Sequence, residues 1–401
     1  MNILLINTFY YPDIIGGAEI SVQKLAEGLA VKGHEVNVLC TSVEDAQEII
    51  NGVNVTRIKI NNLYQPIEYK RKNKIVKLMY HTIDIYNVLN RKKITNIIDR
   101  LKPDIIHVNN LYGISPLIWT IAYSKKIPII QTLRDYYLMC PRVNLLRKDK
   151  KVCTKPPLFC KIYRELYKKL SWKIDIVTAP SEFTLDLFTN EGYFMKAKKQ
   201  KIFNAIDFDN VVVEKYYLEK RNGLNNCKKI KFVFMGSLEY HKGIHLLLKG
   251  FNNIKNDDIE LHIAGKGSLE YLVKEYADND NRIKYYGFIT GAEKDNLLSQ
   301  CNVLIVPSIW YEPFGRVVID AYKYAMPVIG SCIGGIKEII EHEKTGKLIK
   351  LNCEDEISDA ITYFAYKDNI NKMLENCFKK LKQFSIQEQI ASFEKIYMSV
   401  L

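Results

Sequence analysis

The stretch that most constrains the fold covers residues 303–338, where two apolar runs enclose a turn-rich segment. Val303–Val306 has the continuous apolar character of a buried strand, and a proline ends it. The apolar spacing after Gly315 predicts a helix over residues 316–325, and a second β-branched run covers residues 327–329. The sequence therefore predicts a strand–loop–helix–strand unit of an open parallel sheet, in which such loops bind ligands.

The loop brings a short set of residues to the start of this helix: Glu312, Pro313, Phe314, Gly315 and Arg316. A helix N-terminus has free N–H groups and the positive end of the helix dipole, which suit a diphosphate. Two carboxylates, Glu312 before the helix and Asp320 about one turn inside it, can accept hydrogen bonds from sugar or ribose hydroxyls. Phosphate charge and polyol hydroxyls together indicate a nucleotide sugar. An ordinary connection with two surface acids is the alternative.

The length of the chain predicts more than one domain. Its 401 residues, 47% of them hydrophobic, exceed what one ordinary core accommodates and suit two domains. No apolar run reaches the roughly 18 residues of a membrane-spanning helix, and the N-terminus lacks the features of a signal peptide. Nine scattered cysteines, an odd number, do not indicate a disulfide framework. We therefore expect a cytoplasmic protein.

Positive charge is concentrated in the first half of the chain. Residues 1–203 contain 32 Lys and Arg against 18 Asp and Glu, whereas residues 204–401 contain 26 against 27. A basic domain indicates an anionic partner, either membrane lipid or an anionic acceptor. Nucleic acid is disfavoured, because the sequence has no zinc-finger, helix-turn-helix or RNA-binding motif.

A basic amphipathic segment at residues 69–81 predicts a helix on the inner face of the membrane. A solvated basic helix without membrane contact is the alternative. The basic residues of this segment are Lys70, Arg71, Lys72, Lys74 and Lys77.

Three strand ends in the first half carry candidate binding residues. The first strand leads into Gly16 and Gly17, and a glycine pair lets the backbone approach a ligand closely at a helix start. Later strand ends carry Asn109 and the pair Arg134 and Asp135. Arginine stays charged and is therefore no general base. We expect it to hold an anionic acceptor or a leaving phosphate, or to pair with the neighbouring aspartate.

A basic segment after these strand ends contains Cys140, Cys153 and Cys160. Their spacings of 13 and 7 residues do not match a zinc knuckle, and a fourth ligand is missing. We therefore expect a lid or an acceptor loop rather than a metal site. No Asp-x-Asp element lies at a strand end, so no metal cofactor is expected.

The second domain is predicted to open with the strand Ile230–Met235, followed by Gly236 and then Lys242 at a strand-to-helix turn. Gly265 ends a later strand at a similar turn. Because the carboxyl ends of parallel strands meet at one edge of a sheet, we expect Lys242 to approach Glu312.

The Glu-Pro-Phe-Gly motif, with an acid eight positions after its glutamate, resembles the donor site of the GT-B glycosyltransferases of family 4. The resemblance extends over nearly the whole chain, with the pairs Gly16-Gly17 and Gly334-Gly335 and with Lys242 in the family's order. Four positions differ from the family's usual Glu, His, His and Arg: Asp320, Arg134, Asn109 and Ser237.

This resemblance implies an α/β GT-B fold with two Rossmann-like parallel-sheet domains facing a central cleft. It implies an acceptor-side domain at residues 1–203, joined by a last helix at 385–401, and a donor domain at 230–384. The polar stretch 204–229 is predicted to be a linker.

The resemblance further implies retaining transfer of a hexosyl or N-acetylhexosaminyl group from a UDP- or GDP-linked sugar. The acceptor would be a hydroxyl of a glycan or lipid-linked glycan in cell-envelope polysaccharide synthesis. Lys242 would stabilise the leaving diphosphate, Glu312 would position the sugar and Asp320 the ribose. Because the family's histidine is absent, we expect the hydroxyl proton to go to the leaving phosphate. A nucleotide-sugar epimerase or hydrolase, or a catalytically silent anion-binding protein, are the alternatives.

Overall fold

A computed structural model describes residues 1–147 and 149–401, apart from the side chains of Lys70 and Arg71. The chain forms two compact α/β units. The first comprises Met1–Leu146, Cys153–Ala205 and Ile386–Leu401, and the second comprises Arg147–Val152 and Ile206–Ser385.

The first unit is built on an eight-stranded sheet. Its strands are β1 (Asn2–Ile6), β2 (Glu35–Ser42), β3 (Ala46–Ile50), β4 (Val53–Lys59), β5 (Ile105–Val108), β6 (Ile129–Thr132), β7 (Ile176–Ala179) and β8 (Lys198–Lys201). They lie in the order β3-β4-β2-β1-β5-β6-β7-β8, and only the β3–β4 pair is antiparallel. The strand order reverses between β1 and β5, at a switch point of the kind where open sheets bind ligands.

Helices cover this sheet because they carry apolar stripes that need burial. They are α1 (Gly17–Val31), α2 (Lys74–Asp84), α3 (Arg91–Leu101), α4 (Leu117–Ser124), α5 (Leu158–Leu170) and α6 (Glu182–Asn190). In α1, Val22, Leu25 and Leu29 are fully buried in the core around β1 and β2.

The main segment of the second unit, Ile206–Ser385, starts with α7 (Asn210–Gly223) and contains a six-stranded parallel sheet. Its strands are β9 (Ile230–Met235), β10 (Ile259–Ala264), β11 (Ile283–Tyr285), β12 (Val303–Val306), β13 (Val328–Ser331) and β14 (Gly346–Ile349). The order β11-β10-β9-β12-β13-β14 puts a second switch point between β9 and β12. The further helices are α8 (Ile244–Asn252), α9 (Glu270–Asn279), α10 (Gly291–Gln300), α11 (Arg316–Lys323), α12 (Ile336–Ile339), α13 (Glu354–Ala365) and α14 (Lys367–Leu381).

The last helix, α15 (Ile386–Met398), belongs to the first unit. It packs so closely on α1 that a β-carbon at Gly28 would lie 2.2 Å from the Ile390 side chain. The hydroxyl of Tyr397 lies 2.8 Å from Nδ1 of the buried His107.

The predicted linker at residues 204–229 is wrong over most of its length, because α7 occupies residues 210–223. Asp209 caps this helix by accepting from the N–H groups of Val211 and Val212. Its inner face buries Val213 and also Lys220, whose Nζ donates to the carbonyl of Cys301. Tertiary contacts thus hold a helix in a stretch whose polar composition predicts a loop.

The predicted basic helix at residues 69–81 is a 3-10 turn, Pro66–Arg71, followed by α2. Asn73 begins α2, since its side chain accepts from the Val76 N–H at 2.9 Å. The side chains of Lys70 and Arg71, counted in that prediction, lie outside the described residues. Over the part of the chain that the structure covers, no helix is both long and apolar enough to cross a bilayer.

Candidate active site

Lys242 and Glu312 meet at the switch point of the second sheet. Lys242 ends the 3-10 turn Tyr240–Lys242 that follows β9, and Glu312 lies in the loop after β12. The two strands are adjacent and parallel, so their carboxyl ends bring both loops together. Lys242 Nζ donates to both carboxylate oxygens of Glu312, at 2.9 Å each. The expected proximity of these residues is confirmed, and their roles remain predictions.

The carboxylate of Glu312 is held by neighbours from its own loop. Oε2 accepts from the hydroxyl of Ser308 at 3.2 Å and from the indole N–H of Trp310 at 3.1 Å. Burial alone would raise the pKa of Glu312, but the charge of Lys242 and these hydrogen bonds together lower it below its ordinary value. Glu312 is therefore ionised at neutral pH and fixed in orientation before any ligand binds.

Glycine is required on both sides of this ion pair. Gly243 follows Lys242 with φ of 75°, and a β-carbon there would lie 1.8 Å from the carbonyl oxygen of Pro307. Gly334 has φ of 57°, and its β-carbon would lie 2.3 Å from the carbonyl oxygen of Glu312. Close backbone packing thus sets the distance between the two charged groups.

The other residues predicted to bind the nucleotide sugar, in this loop and on α11, differ in exposure. Pro313 and Phe314 are buried, and the Phe314 ring packs near Phe384, so only their backbone is available to a ligand. Asp320, one turn inside α11, pairs with Lys294 Nζ of α10 at 2.8 Å. Nη1 of Arg316 is buried and has no hydrogen-bond partner among the residues described.

Gly236 and Gly265 lie side by side at the ends of β9 and β10. The Gly236 N–H donates to the Ala264 carbonyl, and a β-carbon on Gly265 would lie 1.8 Å from the Gly236 carbonyl oxygen. The two glycines therefore allow two strand ends to pack closely.

In the first unit, Arg134 joins two asparagines. Its Nε donates to Asn109 Oδ1 at 2.7 Å and its Nη1 to Asn204 Oδ1 at 2.6 Å. Asp135 accepts from the N–H of Tyr137 at 2.8 Å. Burial, opposed by the hydrogen bond from Tyr137 and assisted by the charge of Glu19, raises the pKa of Asp135 to about 6.

The Gly16 and Gly17 loop starts α1 as predicted, but an internal carboxylate already occupies its first N–H. Gly16 N–H donates to Oε2 of the buried Glu19 at 2.7 Å. Burial raises the pKa of Glu19, although the bond from Gly16 and the charge of Arg134 oppose this shift. A phosphate at this helix start would have to displace that carboxylate or share the site with its protonated form.

A cavity of about 620 Å³ opens beside these residues within the first unit. Glu19 and Asp135 contribute its acidic lining. Much of the remaining wall is aromatic, formed by Phe9, Tyr69, His81, Tyr112 and Tyr137. Such a combination of aromatic faces and carboxylates can hold a molecule that has both apolar surfaces and hydroxyl groups.

Sequence reasoning missed several of these residues. Ser308 and Trp310 lie in the very loop that carries Glu312, and their polar groups next to a strand end were the available signal. Glu19 has the Gly-x-x-Glu spacing of a capping residue. The aromatic lining of the cavity carries no motif, because its members are scattered between residues 9 and 137.

The three cysteines of the basic segment are free thiols. Burial raises the pKa of Cys160, and its neighbours Cys140 and Cys153 raise it further. In the portion of the molecule under description, no group of three or more His, Cys, Asp or Glu side chains could hold a metal ion.

Two family models together match most of the chain. The model described as Glycosyltransferase Family 4 matches residues 15–210, and the one described as Glycosyl transferases group 1 matches residues 218–383. A Klebsiella pneumoniae protein encoded in a cps region is 32% identical over 84% of this chain and 87% of its own length. The chain belongs to the group 1 glycosyltransferases of family 4. The sequence resemblance is therefore confirmed.

Two further relatives of this glycosyltransferase are themselves named as glycosyltransferases or mannosyltransferases. An uncharacterised glycosyltransferase of Methanocaldococcus jannaschii is 25% identical over the full length of both chains. The O-antigen chain mannosyltransferase C of Escherichia coli is 20% identical over 100% of this chain and 99% of its own.

Solved structures establish the fold of the glycosyltransferase. HepE of Anabaena, solved in complex with UDP, superposes with a TM-score of 0.71 at 17% identity over the whole of both chains. HepE has also been solved with UDP-glucose. Sucrose-phosphate synthase of Thermosynechococcus elongatus has a TM-score of 0.75 at 19% identity, covering 99% of this chain and 98% of that one. The fold is GT-B, with two Rossmann-like units.

Proposed function

We propose that this glycosyltransferase moves a hexosyl or N-acetylhexosaminyl group from a UDP- or GDP-linked sugar to a hydroxyl of a glycan or lipid-linked glycan. The observation that carries the proposal is the contact of Lys242 with Glu312 at the switch point of the second sheet. An ammonium and a fixed carboxylate at one point suit a ligand with both phosphate charge and sugar hydroxyls.

The second unit holds the donor in this proposal. The ammonium of Lys242 binds the diphosphate and stabilises the charge that develops on it as the glycosidic bond breaks. The carboxylate of Glu312 then accepts hydrogen bonds from sugar hydroxyls. Arg316 replaces the cation that Ser237 does not supply, which is consistent with its buried, unpartnered Nη1. One carboxylate oxygen of Asp320 accepts a hydrogen bond from Lys294, and the other accepts one from a ribose hydroxyl in this proposal.

The first unit holds the acceptor in the cavity lined by Tyr69, Tyr112 and Tyr137. Tyrosine faces cover the apolar side of a sugar ring, and the carboxyl groups of Glu19 and Asp135 meet its hydroxyls. Arg134 stays protonated and bonds two amide oxygens, so it orients Asn109 rather than taking a proton.

Transfer proceeds with retention at the anomeric carbon. A bond forms between the acceptor oxygen and that carbon while the bond from the carbon to the phosphate oxygen breaks. The hydroxyl proton passes to the departing phosphate oxygen on the same face, and the products are the glycoside and the nucleoside diphosphate. This route requires no protein base, which fits a site where arginine stands at the family's histidine position. The proposed route also uses no metal ion.

Cell-envelope polysaccharide synthesis is the proposed setting. Relatives include a protein of a cps region and an O-antigen chain mannosyltransferase. HepE, which shares the fold, binds UDP and UDP-glucose, and this supports a UDP-linked donor.

We further propose that the first unit attaches peripherally to the inner face of an anionic membrane through α2. This helix exposes Ile75, Leu78 and Met79, with relative residue exposures of 72%, 47% and 51%, beside the exposed Lys74. An apolar strip next to lysines suits a bilayer surface that contains acidic lipids. Its other face contributes His81 to the cavity, so a lipid-linked acceptor would arrive near its binding site.

A panel of radiolabelled UDP- and GDP-sugars, incubated with the enzyme and octyl glycosides, tests the function. We expect a labelled octyl disaccharide whose new linkage has the anomeric configuration of the donor sugar. An isomerised or hydrolysed donor would indicate the epimerase or hydrolase instead. A donor that binds without turnover would indicate a silent binding protein, and an inverted linkage would refute retention.

A further inference from the structure

Three buried side chains of the first unit form a hydrogen-bonded chain that ends at the cavity wall. Asp84, on the last turn of α2, is fully buried. Its Oδ2 accepts from the hydroxyl of Tyr137 at 2.5 Å and from the N–H of Gly113 at 3.0 Å. The Tyr137 oxygen lies 3.3 Å from Nδ1 of His81, one turn earlier on α2. Tyr137 and His81 both line the cavity.

The direction of each hydrogen bond follows from the donors available. A backbone N–H can only donate, so Oδ2 of Asp84 is an acceptor in its bond with Gly113. Burial raises the pKa of Asp84 to about 7, so the carboxyl is mostly ionised above that pH. In the ionised state Oδ2 can only accept, and the hydroxyl of Tyr137 donates to it.

Tyr137 has a single hydroxyl hydrogen, and it donates this hydrogen in the bond to Oδ2 of Asp84. The contact between Tyr137 and Nδ1 of His81 is then a hydrogen bond only if Nδ1 carries the hydrogen. Burial, with a smaller effect of Lys77, lowers the pKa of His81 to about 4, so the ring is neutral and has one hydrogen. The lone pair is therefore on Nε2.

Nε2 of His81 is an acceptor without a donor. No residue of the described chain donates to it, although the ring packs among Tyr69, Tyr112 and Tyr137 at centroid distances of 6.4, 5.8 and 5.8 Å. A ring held in one tautomer on the wall of an aromatic cavity is suited to receive a hydroxyl from a bound ligand.

We propose that Nε2 of His81 accepts a hydrogen bond from a non-reacting hydroxyl of the acceptor, and that Asp84 and Tyr137 are positioning residues that fix its tautomer. The proposal rests on the proposed function and identifies the acceptor as a sugar ring that lies against the tyrosines. His81 does not take up a proton during sugar transfer. Its hydrogen bond orients the acceptor, and the leaving phosphate remains the base.

Nitrogen-15 NMR of histidine-labelled protein tests the tautomer without any turnover. The resonances of His81 are assigned by their loss in His81→Gln among the seven histidines of the chain. We expect Nδ1 to carry the hydrogen at a pH of about 8.5, where Asp84 is ionised, and Nε2 to shift on addition of octyl glycosides. Tyr137→Phe should release the ring to a mixture of tautomers. A wild-type ring with the hydrogen on Nε2 would overturn the proposal.

A matched pair of variants tests binding. The amide of His81→Asn reaches the position of Nδ1 and loses the Nε2 acceptor, whereas that of His81→Gln reaches the position of Nε2. We expect the KM for octyl glycosides to rise about tenfold in His81→Asn, the effect of one lost hydrogen bond, and to change less than about threefold in His81→Gln. The donor KM should stay constant in both. Equal effects, or the reverse order, would show that His81 acts only through packing.

Failure of this inference is distinguishable from failure of the proposed function. If the wild-type enzyme consumes no nucleotide sugar, the function is wrong, while the NMR titration still reports whether octyl glycosides reach His81. If it transfers sugar normally and His81→Asn has the wild-type acceptor KM, the role of His81 alone is refuted.

Discussion

Lys242 Nζ lies 2.9 Å from both carboxylate oxygens of Glu312, although 70 positions separate the two residues. The side chains retain 23% and 14% of their exposure, so water screens the pair only partly. A diphosphate that reaches Lys242 competes with Glu312 for its N–H donors. In the proposed function the carboxylate would then be left for sugar hydroxyls, and we expect recognition of the two parts of a nucleotide sugar to be coupled.

Removing either partner should abolish most of the activity. We expect kcat to fall by about 100-fold or more in Lys242→Ala and in Glu312→Ala, the range seen when a group that stabilises transition-state charge is lost. Circular dichroism should report a folded chain, because each unit retains its own core. Steady-state kinetics with a nucleotide sugar and an octyl glycoside provide the measurement.

The double variant Lys242→Ala with Glu312→Ala tests whether the two residues act together. Because both residues act on one donor, the combined loss should be smaller than the product of the single losses. Lys380→Ala is the matched control, since it breaks the Lys380–Glu341 pair of 2.6 Å in the same unit, away from this loop. Near-normal turnover in Lys242→Ala would remove that residue from the site.

Gly243→Ala should destabilise the second unit strongly. The new β-carbon would clash with the Pro307 carbonyl at 1.8 Å, and φ of 75° disfavours any side chain. We expect a loss of about 3 kcal/mol or more in urea unfolding. Gly223→Ala, at the end of α7 with nothing within 4 Å of its β-carbon, should be neutral or stabilise by about 0.5–1 kcal/mol. Equal stability of the two variants would contradict the close approach at Gly243.

The contact between Lys242 and Glu312 was predictable because both residues follow strands. The apolar run Val303–Val306 is the strand that the sequence predicts, and Lys242 and Glu312 follow neighbouring strands at a switch point. In a parallel sheet this order along the chain implies proximity in space. The same reasoning could not show that Asp320 pairs with Lys294, since helix-to-helix contacts depend on packing.

Other features depended on contacts that leave no local signal. The helix α7 has few apolar residues on its buried face, and its buried Lys220, whose pKa burial lowers to about 8, finds its partner at Cys301. His81 looks like a surface residue of a basic segment. Its role depends on Tyr137, 56 residues away, and no periodicity connects the two.

The stability of the protein should depend on pH through Asp135. Its pKa is raised from 3.8 to about 6 in the folded chain, so the folded state binds this proton more tightly than the unfolded state. This contribution favours folding at low pH and is lost as the pH rises from about 4 to about 6. Asp135→Asn should therefore match the wild type near pH 4 and exceed its free energy of unfolding by about 1–3 kcal/mol at pH 7.

Urea unfolding at both pH values measures this difference. Asparagine keeps the oxygen that accepts from the Tyr137 N–H, so the comparison isolates the charge. Asp186→Asn, at an exposed position of α6, is the control and should show no such trend. A stability difference for Asp135→Asn that is constant between pH 4 and 7 would contradict the assignment.

Membrane binding should depend on the apolar strip of α2. We expect the protein to sediment with liposomes that contain acidic lipid at low salt and to be released at high salt. Replacing Ile75, Leu78 and Met79 together with serine should lower the partition coefficient at least about tenfold, because each side chain contributes about 1 kcal/mol or more on burial. Val211→Ser with Leu218→Ser, at exposed positions of α7, is the control. Absence of sedimentation at low salt would refute the attachment.

The most direct test is a crystal structure of the protein with the nucleotide sugar that supports the fastest transfer. We expect diphosphate oxygens at about 3 Å from Lys242 Nζ and sugar hydroxyls that donate to the carboxylate of Glu312. A donor bound elsewhere, with the Lys242–Glu312 pair intact and out of reach, would contradict it.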